Sequence, residues 1–333
     1  MSADEWPTPV LYIGGTGGGG SGMLAHVLGE VPGFVSIGEA RLVWRRGVVE
    51  DQLCGCGTRF SRCPFWIDVM DVTLGPGSTD QRRAAAARWS AELEARTNVR
   101  TLPHHLRGTR TRHPDPADVP ESSDDPEVAP VTGSDELADL LERFYSAVAT
   151  VAGADVVVDS SKRPTYAALL DDLDDIDVRV VHFLRDPRAA AYSGRRRLPP
   201  AARNVFPERC QPGRSALRWA VWNRVLERLG ERRLRHYTRV TYEEFLTDPQ
   251  GCTVTLLDAL DVPGDTRRVF AAPGIIRVGV QHAISGSRQP PLHGLVALAP
   301  DLEWQQRMSP TDRSAISALT WPTLRRYGYR LRG

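Results

Sequence analysis

Four short stretches of this chain carry residue types and spacings that can do chemistry, and each comes after an apolar run. The first is Val10 to Leu24, VLYIGGTGGGGSGML, where six of the seven positions from Gly14 to Gly20 are glycine. Glycine lets backbone amides turn inward at positive φ, and a helix beyond the loop adds its positive end, so strand, glycine loop and helix make an anion cradle. A phosphate-bearing ligand is the first expectation. The second stretch, Asp159-Ser160-Ser161-Lys162, holds the only lysine of the sequence among 42 basic residues. Where arginine does the ordinary surface work, a lone lysine marks a place for a compact ammonium in preference to a planar fork. The third is Arg185-Asp186-Pro187-Arg188 with Ser193 eight residues after the first arginine. Arg185 offers a five-donor fork suited to a terminal phosphate, and Ser193 adds a hydroxyl from the same side of the next helix. The fourth, Gly38-Glu39-Ala40-Arg41, puts the Glu39 carboxylate just past an apolar run, where open α/β sheets carry working groups.

Each has a plainer reading, which for Lys162 is the chance survival of a single lysine. The loop matches G-x-x-x-x-G-K-[ST] only at Gly15 and Gly20, with Ser21 where lysine belongs and Gly22 where a hydroxyl belongs. It matches the dinucleotide pattern G-x-G-x-x-G at Gly15, Gly17 and Gly20, with Glu39 as a ribose acceptor, and a bare structural turn stays open beside both. Glu39 fits an N-cap or surface residue of a helix Arg41–Val49, and Asp186 before proline fits a helix cap. Cys54, Cys56 and Cys63 form C-x-C with a third cysteine seven residues on. No neighbouring histidine or fourth cysteine completes a tetrahedron, so a tight, disulfide-capable turn is preferred and no metal is assigned. Cys210 and Cys252 read as packing residues.

The elements that must position these groups alternate strand and helix. Strands are expected at Val10 onward, Gly33–Ile37, Asp155–Val158, Asp177–Phe183 and His236–Val240. Helices are expected at Ser21–Gly29, Gln81–Arg96, Asp135–Val151, Ala189 onward and Gly213–Arg235, the last with Trp219 and Trp222 in its core stripe. That order predicts an α/β, three-layer fold with a central parallel sheet between helices, and brings the strand ends into one crevice. Residues 99–134, with six prolines, an acid cluster and His104 and His105, have no apolar period and read as a flexible loop or lid within a single domain of residues 1–333.

With 333 residues and 41% hydrophobic content the chain can bury a large core. A net charge of +1 excludes a whole-protein field that would gather nucleic acid or a membrane surface. No apolar run reaches the length of a membrane span and no signal pattern opens the chain, so a cytoplasmic protein is expected, and the alanine-rich, lysine-poor usage points to a GC-rich bacterial genome.

Together the pieces resemble the sulfotransferases that use PAPS, 3′-phosphoadenosine 5′-phosphosulfate. Arg185-Asp186-Pro187-Arg188 with Ser193 is similar to their 3′-phosphate motif. Asp159-Ser160-Ser161-Lys162, Tyr242-Glu243-Glu244-Phe245, Tyr327-Gly328-Tyr329 and the turn ending Cys63-Pro64-Phe65-Trp66 are similar to recurrent pieces of bacterial members. The Gly38-Glu39 segment resembles one in which the glutamate is the general base. The resemblance implies a P-loop-like fold and transfer of a sulfonate from PAPS to a hydroxyl or phenol of a small molecule, such as a secondary metabolite, without a metal. It implies Glu39 and Lys162 as catalytic residues, and Gly17, Gly18, Gly19, Gly20, Ser21, Gly22, Arg185, Ser193 and Arg288 as donor-binding residues. A non-catalytic nucleotide-binding protein on the same fold is the alternative. The departure lies in the loop, which has Gly18 and Gly19 where members carry Arg or Lys and then Ser, and Gly22 in place of the final hydroxyl. Arg41, Lys162 and Arg288 are the substitutes for that cation.

Overall fold

The computed structural model describes residues 7–98, 135–196, 212–284 and 293–331. Five strands, β1 (Thr8–Gly15), β2 (Phe34–Gly38), β3 (Val156–Lys162), β4 (Ile176–Leu184) and β5 (His236–Thr241), form one sheet in the order β2-β3-β1-β4-β5. Every pairing in it is parallel. The inner strands read as continuous apolar runs because both of their faces are covered. Val10, Tyr12, Val157, Val178 and Val180 point into a core shared with the helices Pro64–Leu74, Glu136–Ala152, Pro164–Asp171 and Pro212–Arg232. Leu11, Ile13, Val156, Val158, Val181 and Phe183 point the other way, against the helices Ser21–Leu28 (α1) and Pro249–Ala259. Alternate residues of one strand thus feed two cores, which is the three-layer α/β architecture expected from the sequence.

The sequence under-read several elements. β3 runs through Asp159 to Lys162 instead of stopping at Val158, so the motif is strand end and not loop. The helix expected over Arg41–Val49 is a short 3-10 turn, Ala40–Leu42, and then a π-helix, Val43–Val49. A three-stranded antiparallel sheet, Phe270–Ala272 (β6), Ile275–Val278 (β7) and Gly294–Ala297 (β8), was not foreseen. Its strands have three or four residues, too few to show a period. Trp219 is core, but Trp222 is only half-buried, with Arg218 over its ring. No helix among the described residues is long and apolar enough to cross a membrane. The loop at 99–134 with His104 and His105, together with Cys210 and Arg288, lies outside the described residues.

Candidate active site

The parallel registers bring the expected residues to one edge of the sheet. Gly14 of β1 is level with Lys162 of β3, Gly15 with Phe183 of β4, and Gly38 of β2 with Asp159 of β3. All strands point the same way, so the glycine loop leaves the sheet between the carboxyl ends of β3 and β4, with the end of β2 one strand further out. From Glu39 to Arg185 is three strand spacings, roughly 14 Å.

The loop takes its conformation from its glycines. Gly18 has φ 82°, and a Cβ there would stand 2.2 Å from the carbonyl oxygen of Ala190, in the helix Pro187–Arg196. Gly20 has φ 86° and caps α1 without any side-chain hydrogen bond. No acidic residue occupies the first turn of that helix, and Ser21 opens it, buried. A helix start with no side-chain cap leaves its first amides and its positive end for an external anion. Gly17 and Gly22 face open space, with nothing within 4 Å of an added Cβ, whereas Gly19 closes the turn through its N–H to the Thr16 carbonyl at 3.1 Å.

Lys162 ends β3 at φ 72°, a left-handed conformation that a lysine adopts only when its surroundings hold it there. Its Nζ donates to the Ser160 carbonyl at 2.9 Å and lies 3.0 Å from Glu39 Oε1. Both side chains are mostly covered, 14% and 17% exposed, so this contact is shielded from water in a way that surface pairs are not. Asp159, fully buried, brackets the two strand ends. Its carboxylate accepts from the Ser161 N–H (2.8 Å) and hydroxyl (2.6 Å), the Tyr145 hydroxyl (2.7 Å) and the Ala40 N–H (3.2 Å). Ser161 Oγ in turn accepts from the Arg41 N–H at 3.1 Å. Burial lifts the Asp159 carboxyl from its usual 3.8 to about 6, with the Ser161 and Tyr145 hydrogen bonds pulling the other way. Nothing in the Asp159–Lys162 motif itself marks Asp159 as the residue that ties the two strand ends together. A charged residue directly after Val156-Val157-Val158 was the available signal.

Arg185 reaches toward the loop. Its Nη1 donates to the Gly18 carbonyl at 3.0 Å, and Nη2 donates to the Asp301 carbonyl at 3.2 Å and lies 3.3 Å from Asp301 Oδ2. The guanidinium is 4% exposed and packs over the Tyr242 ring at 4.2 Å, while its buried Nε has no hydrogen-bond partner. The open fork expected here is thus half taken, by a carboxylate that no sequence pattern indicated. Ser193 is buried three residues after Ala190, on the helix face that Ala190 turns toward Gly18. Asp186 acts as the expected cap: its Oδ1 accepts from the Arg188 N–H at 2.8 Å, and its carboxylate holds the Arg188 guanidinium, which also binds the Arg330 and Leu331 carbonyls. Tyr329 donates to Glu243 at 2.8 Å, so two of the sequence pieces meet. A cavity of about 410 Å³ opens beside Arg185, Tyr242, Glu243, Asp301, Trp304 and Tyr329.

Two expectations change. Arg41 is not a free substitute for the missing loop cation, because its guanidinium pairs with Glu94 at 3.0 Å. The cysteine turn does have a histidine beside it: His282 lies against Cys54 and Cys63, 219 residues from the latter in sequence, too far for spacing to reveal.

Comparison with known proteins gives the family and the fold. The model of a sulfotransferase family matches residues 68–266, a span that includes Lys162, Arg185, Ser193 and Tyr242 and leaves out the glycine loop and Glu39. Among solved structures the fold is similar to the sulfotransferase domain from the Synechococcus PCC 7002 olefin synthase, at 16% identity over 99% of this chain and 98% of that one, TM-score 0.51. It is also similar to the sulfotransferase domain from the curacin biosynthetic pathway, at 14% identity over 97% and 98%, TM-score 0.50. No curated protein sequence matches significantly. With the family model covering over half its length and the parallel sheet matching two solved sulfotransferase domains, this chain belongs to the sulfotransferase family.

Proposed function

We propose that the protein transfers a sulfonate from PAPS to a hydroxyl or phenol of a small molecule, with a bacterial secondary metabolite as the acceptor class. One observation carries the reading: a helix start with no side-chain cap, with Arg185 on one side and the Lys162–Glu39 pair on the other, all at the carboxyl edge of one parallel sheet. In this scheme the loop amides from Gly17 to Gly22 and Ser21 hold the 5′-phosphosulfate. Arg185 and Ser193 hold the 3′-phosphate, and the partnerless Arg185 Nε, buried and cationic, fits such an anion. The acceptor oxygen attacks sulfur in line, Glu39 takes the hydroxyl proton, and the bond to the 5′-phosphate oxygen breaks. Lys162 compensates charge on the equatorial oxygens; it has three donors, of which Ser160 and Glu39 engage two. Positioning and charge stabilisation are what such a transfer asks of a protein.

The test is a pair of measurements. The product PAP should raise the melting temperature and Arg185→Ala should abolish the rise, while radiolabelled PAPS offered with a panel of phenols and alcohols should show turnover lost in Glu39→Gln. No thermal shift at millimolar PAP would overturn the reading.

A second reading, a sulfotransferase-fold protein that holds PAP without turnover, is favoured by Gly18. Its φ and its approach to Ala190 leave no place for the cation that other members carry. PAP binding without transfer to any acceptor would support it. The dinucleotide reading, an NAD(P)-binding oxidoreductase, fits less well, since it leaves Arg185 beside the loop and Lys162 without a role.

A further inference from the structure

We infer that Cys54, Cys56, Cys63 and His282 form a closed, structural zinc site. The three Sγ atoms and one ring nitrogen of His282 all lie within 4.8 Å of one another. The closest pairs are Cys56 Sγ to Cys63 Sγ at 3.7 Å, Cys54 Sγ to His282 Nδ1 at 3.6 Å and Cys63 Sγ to His282 Nδ1 at 3.2 Å. A tetrahedral zinc with bonds of about 2.3 Å to sulfur and about 2.0 Å to nitrogen sets its ligands roughly 3.75 Å apart for S···S and 3.5 Å for S···N. The observed spacings cluster around those values. They are far from the roughly 2.05 Å of a disulfide.

The backbone builds the site independently of any metal. Gly57 N–H bonds the Cys54 carbonyl at 2.9 Å, Cys54 N–H bonds the Thr58 carbonyl at 2.8 Å, and Gly57 has φ 87°, so Cys54 and Cys56 stand on one tight knuckle. That knuckle is joined to the histidine segment by the Gly55 N–H bond to the Ala283 carbonyl at 3.0 Å. A Cβ on Gly55 would lie 2.4 Å from the Gln281 carbonyl oxygen, so a glycine is what lets the two segments touch. Cys63 arrives at the start of the helix Pro64–Leu74, and the His282 ring is stacked on Phe65 at 4.7 Å and 14°. Cys54 and Cys63 are buried, and Cys56 and His282 are half-covered.

Three thiolates and an imidazole in tetrahedral disposition suit zinc. A multi-iron cluster would hold its thiolates further apart. On binding, the three thiols release their protons to solvent and the ion takes four protein ligands, with no position left for water or substrate, so the role is structural. The segment it fastens is mechanically linked to the candidate active site. Ile284, two residues after His282, bridges Gly38 in parallel, donates to the Ile37 carbonyl at 2.9 Å and accepts from the Glu39 N–H at 2.7 Å. Zinc would therefore brace the short backbone connection that sets where Glu39 points.

The experiment begins with the intact chain, purified under reducing conditions without chelator and analysed for metals. About one zinc per chain is expected. Replacement by cobalt should give near-ultraviolet thiolate-to-cobalt charge transfer and the intense visible bands of a tetrahedral ion. Cys63→Ser and His282→Ala should each weaken metal binding by more than the roughly 10–100-fold that loss of a mere outer-shell partner costs, while Cys252→Ser should leave it unchanged. A fully reduced wild-type chain that takes up neither zinc nor cobalt would overturn the inference. So would a mass deficit locating a disulfide between Cys56 and Cys63 in the freshly purified protein. Because the metal and cobalt readings on the wild type need no variant to fold and no PAP to bind, they stand whatever the outcome of the sulfotransfer assays.

Discussion

Lys162 Nζ sits 3.0 Å from Glu39 Oε1, so the two residues proposed to act on the reacting atoms already hold each other. The pair bridges the ends of two adjacent strands, β2 and β3, and each partner is fixed from behind: Glu39 by its backbone bond to Ile284, Lys162 by Ser160. Its consequence is coupling. Glu39→Gln should lower kcat by about 10²-fold or more, the range for a lost general base, and leave PAP affinity within about twofold of wild type. Lys162→Met should do similar damage. The double variant should fall well short of the product of the two losses, because residues in contact do not add. Strict multiplicativity would mean that the pair does not act as a unit.

Arg185 gives a prediction of opposite sign. Asp301 competes for the guanidinium that the 3′-phosphate is proposed to bind, at 3.3 Å. Asp301→Asn keeps the shape and removes the charge. PAP should then bind more tightly by roughly three- to tenfold, the equivalent of about 1 kcal/mol. Calorimetry of PAP binding to the two proteins decides it, and weaker binding in Asp301→Asn would argue against an anion at Arg185.

The glycine loop can be tested by adding atoms. Gly18→Ala combines an adverse φ with a 2.2 Å approach to a backbone oxygen and should destabilise the fold by about 1–3 kcal/mol. Gly22 lies inside α1 with nothing within 4 Å of a new Cβ. Gly22→Thr should leave the melting temperature unchanged or raise it, since glycine is a poor helix residue. By restoring a hydroxyl beside the loop it should also tighten PAP binding. Denaturation curves for both variants, with and without PAP, separate the backbone effect from the ligand effect.

Two buried groups give opposing pH dependence. The Asp159 carboxyl, lifted by burial from 3.8 to about 6, stabilises the fold below its unfolded value and loses that contribution as pH rises through about 6. His182, fully buried between the Tyr237 hydroxyl (2.7 Å) and Asn223 Oδ1 (3.1 Å), is pushed by burial from 6.5 down to about 4. Its contribution is present above 6.5 and lost as pH falls through about 4. Each shift is worth roughly 3 kcal/mol at about 1.36 kcal/mol per tenfold, so between pH 4 and 6.5 the two nearly cancel. Asp159→Asn should expose the histidine limb, giving a protein whose stability falls with acid over that window more steeply than wild type. Urea midpoints measured from about pH 4 to 7 check this, and parallel curves would remove Asp159 from the account.

The sequence alone determined the architecture and the identities of the candidate groups. Apolar runs of strand length separated by helical patterns imply a parallel sheet covered on both faces, and such a sheet delivers the residues just beyond each strand to a common edge. The glycine loop, Lys162, Arg185 and Glu39 were therefore legible, because each lies within a few residues of a strand end and strand direction is a local property. Tertiary structure decided how those groups are engaged. Lys162 pairs with Glu39 across 123 residues, Asp301 takes half of the Arg185 fork across 116, and His282 completes a four-ligand set 219 residues from Cys63. Ion pairs and ligand sets act over about 4 Å in space with no period or composition along the chain. Only the folded backbone, through the Gly55–Ala283 and Glu39–Ile284 hydrogen bonds among others, brings the partners together.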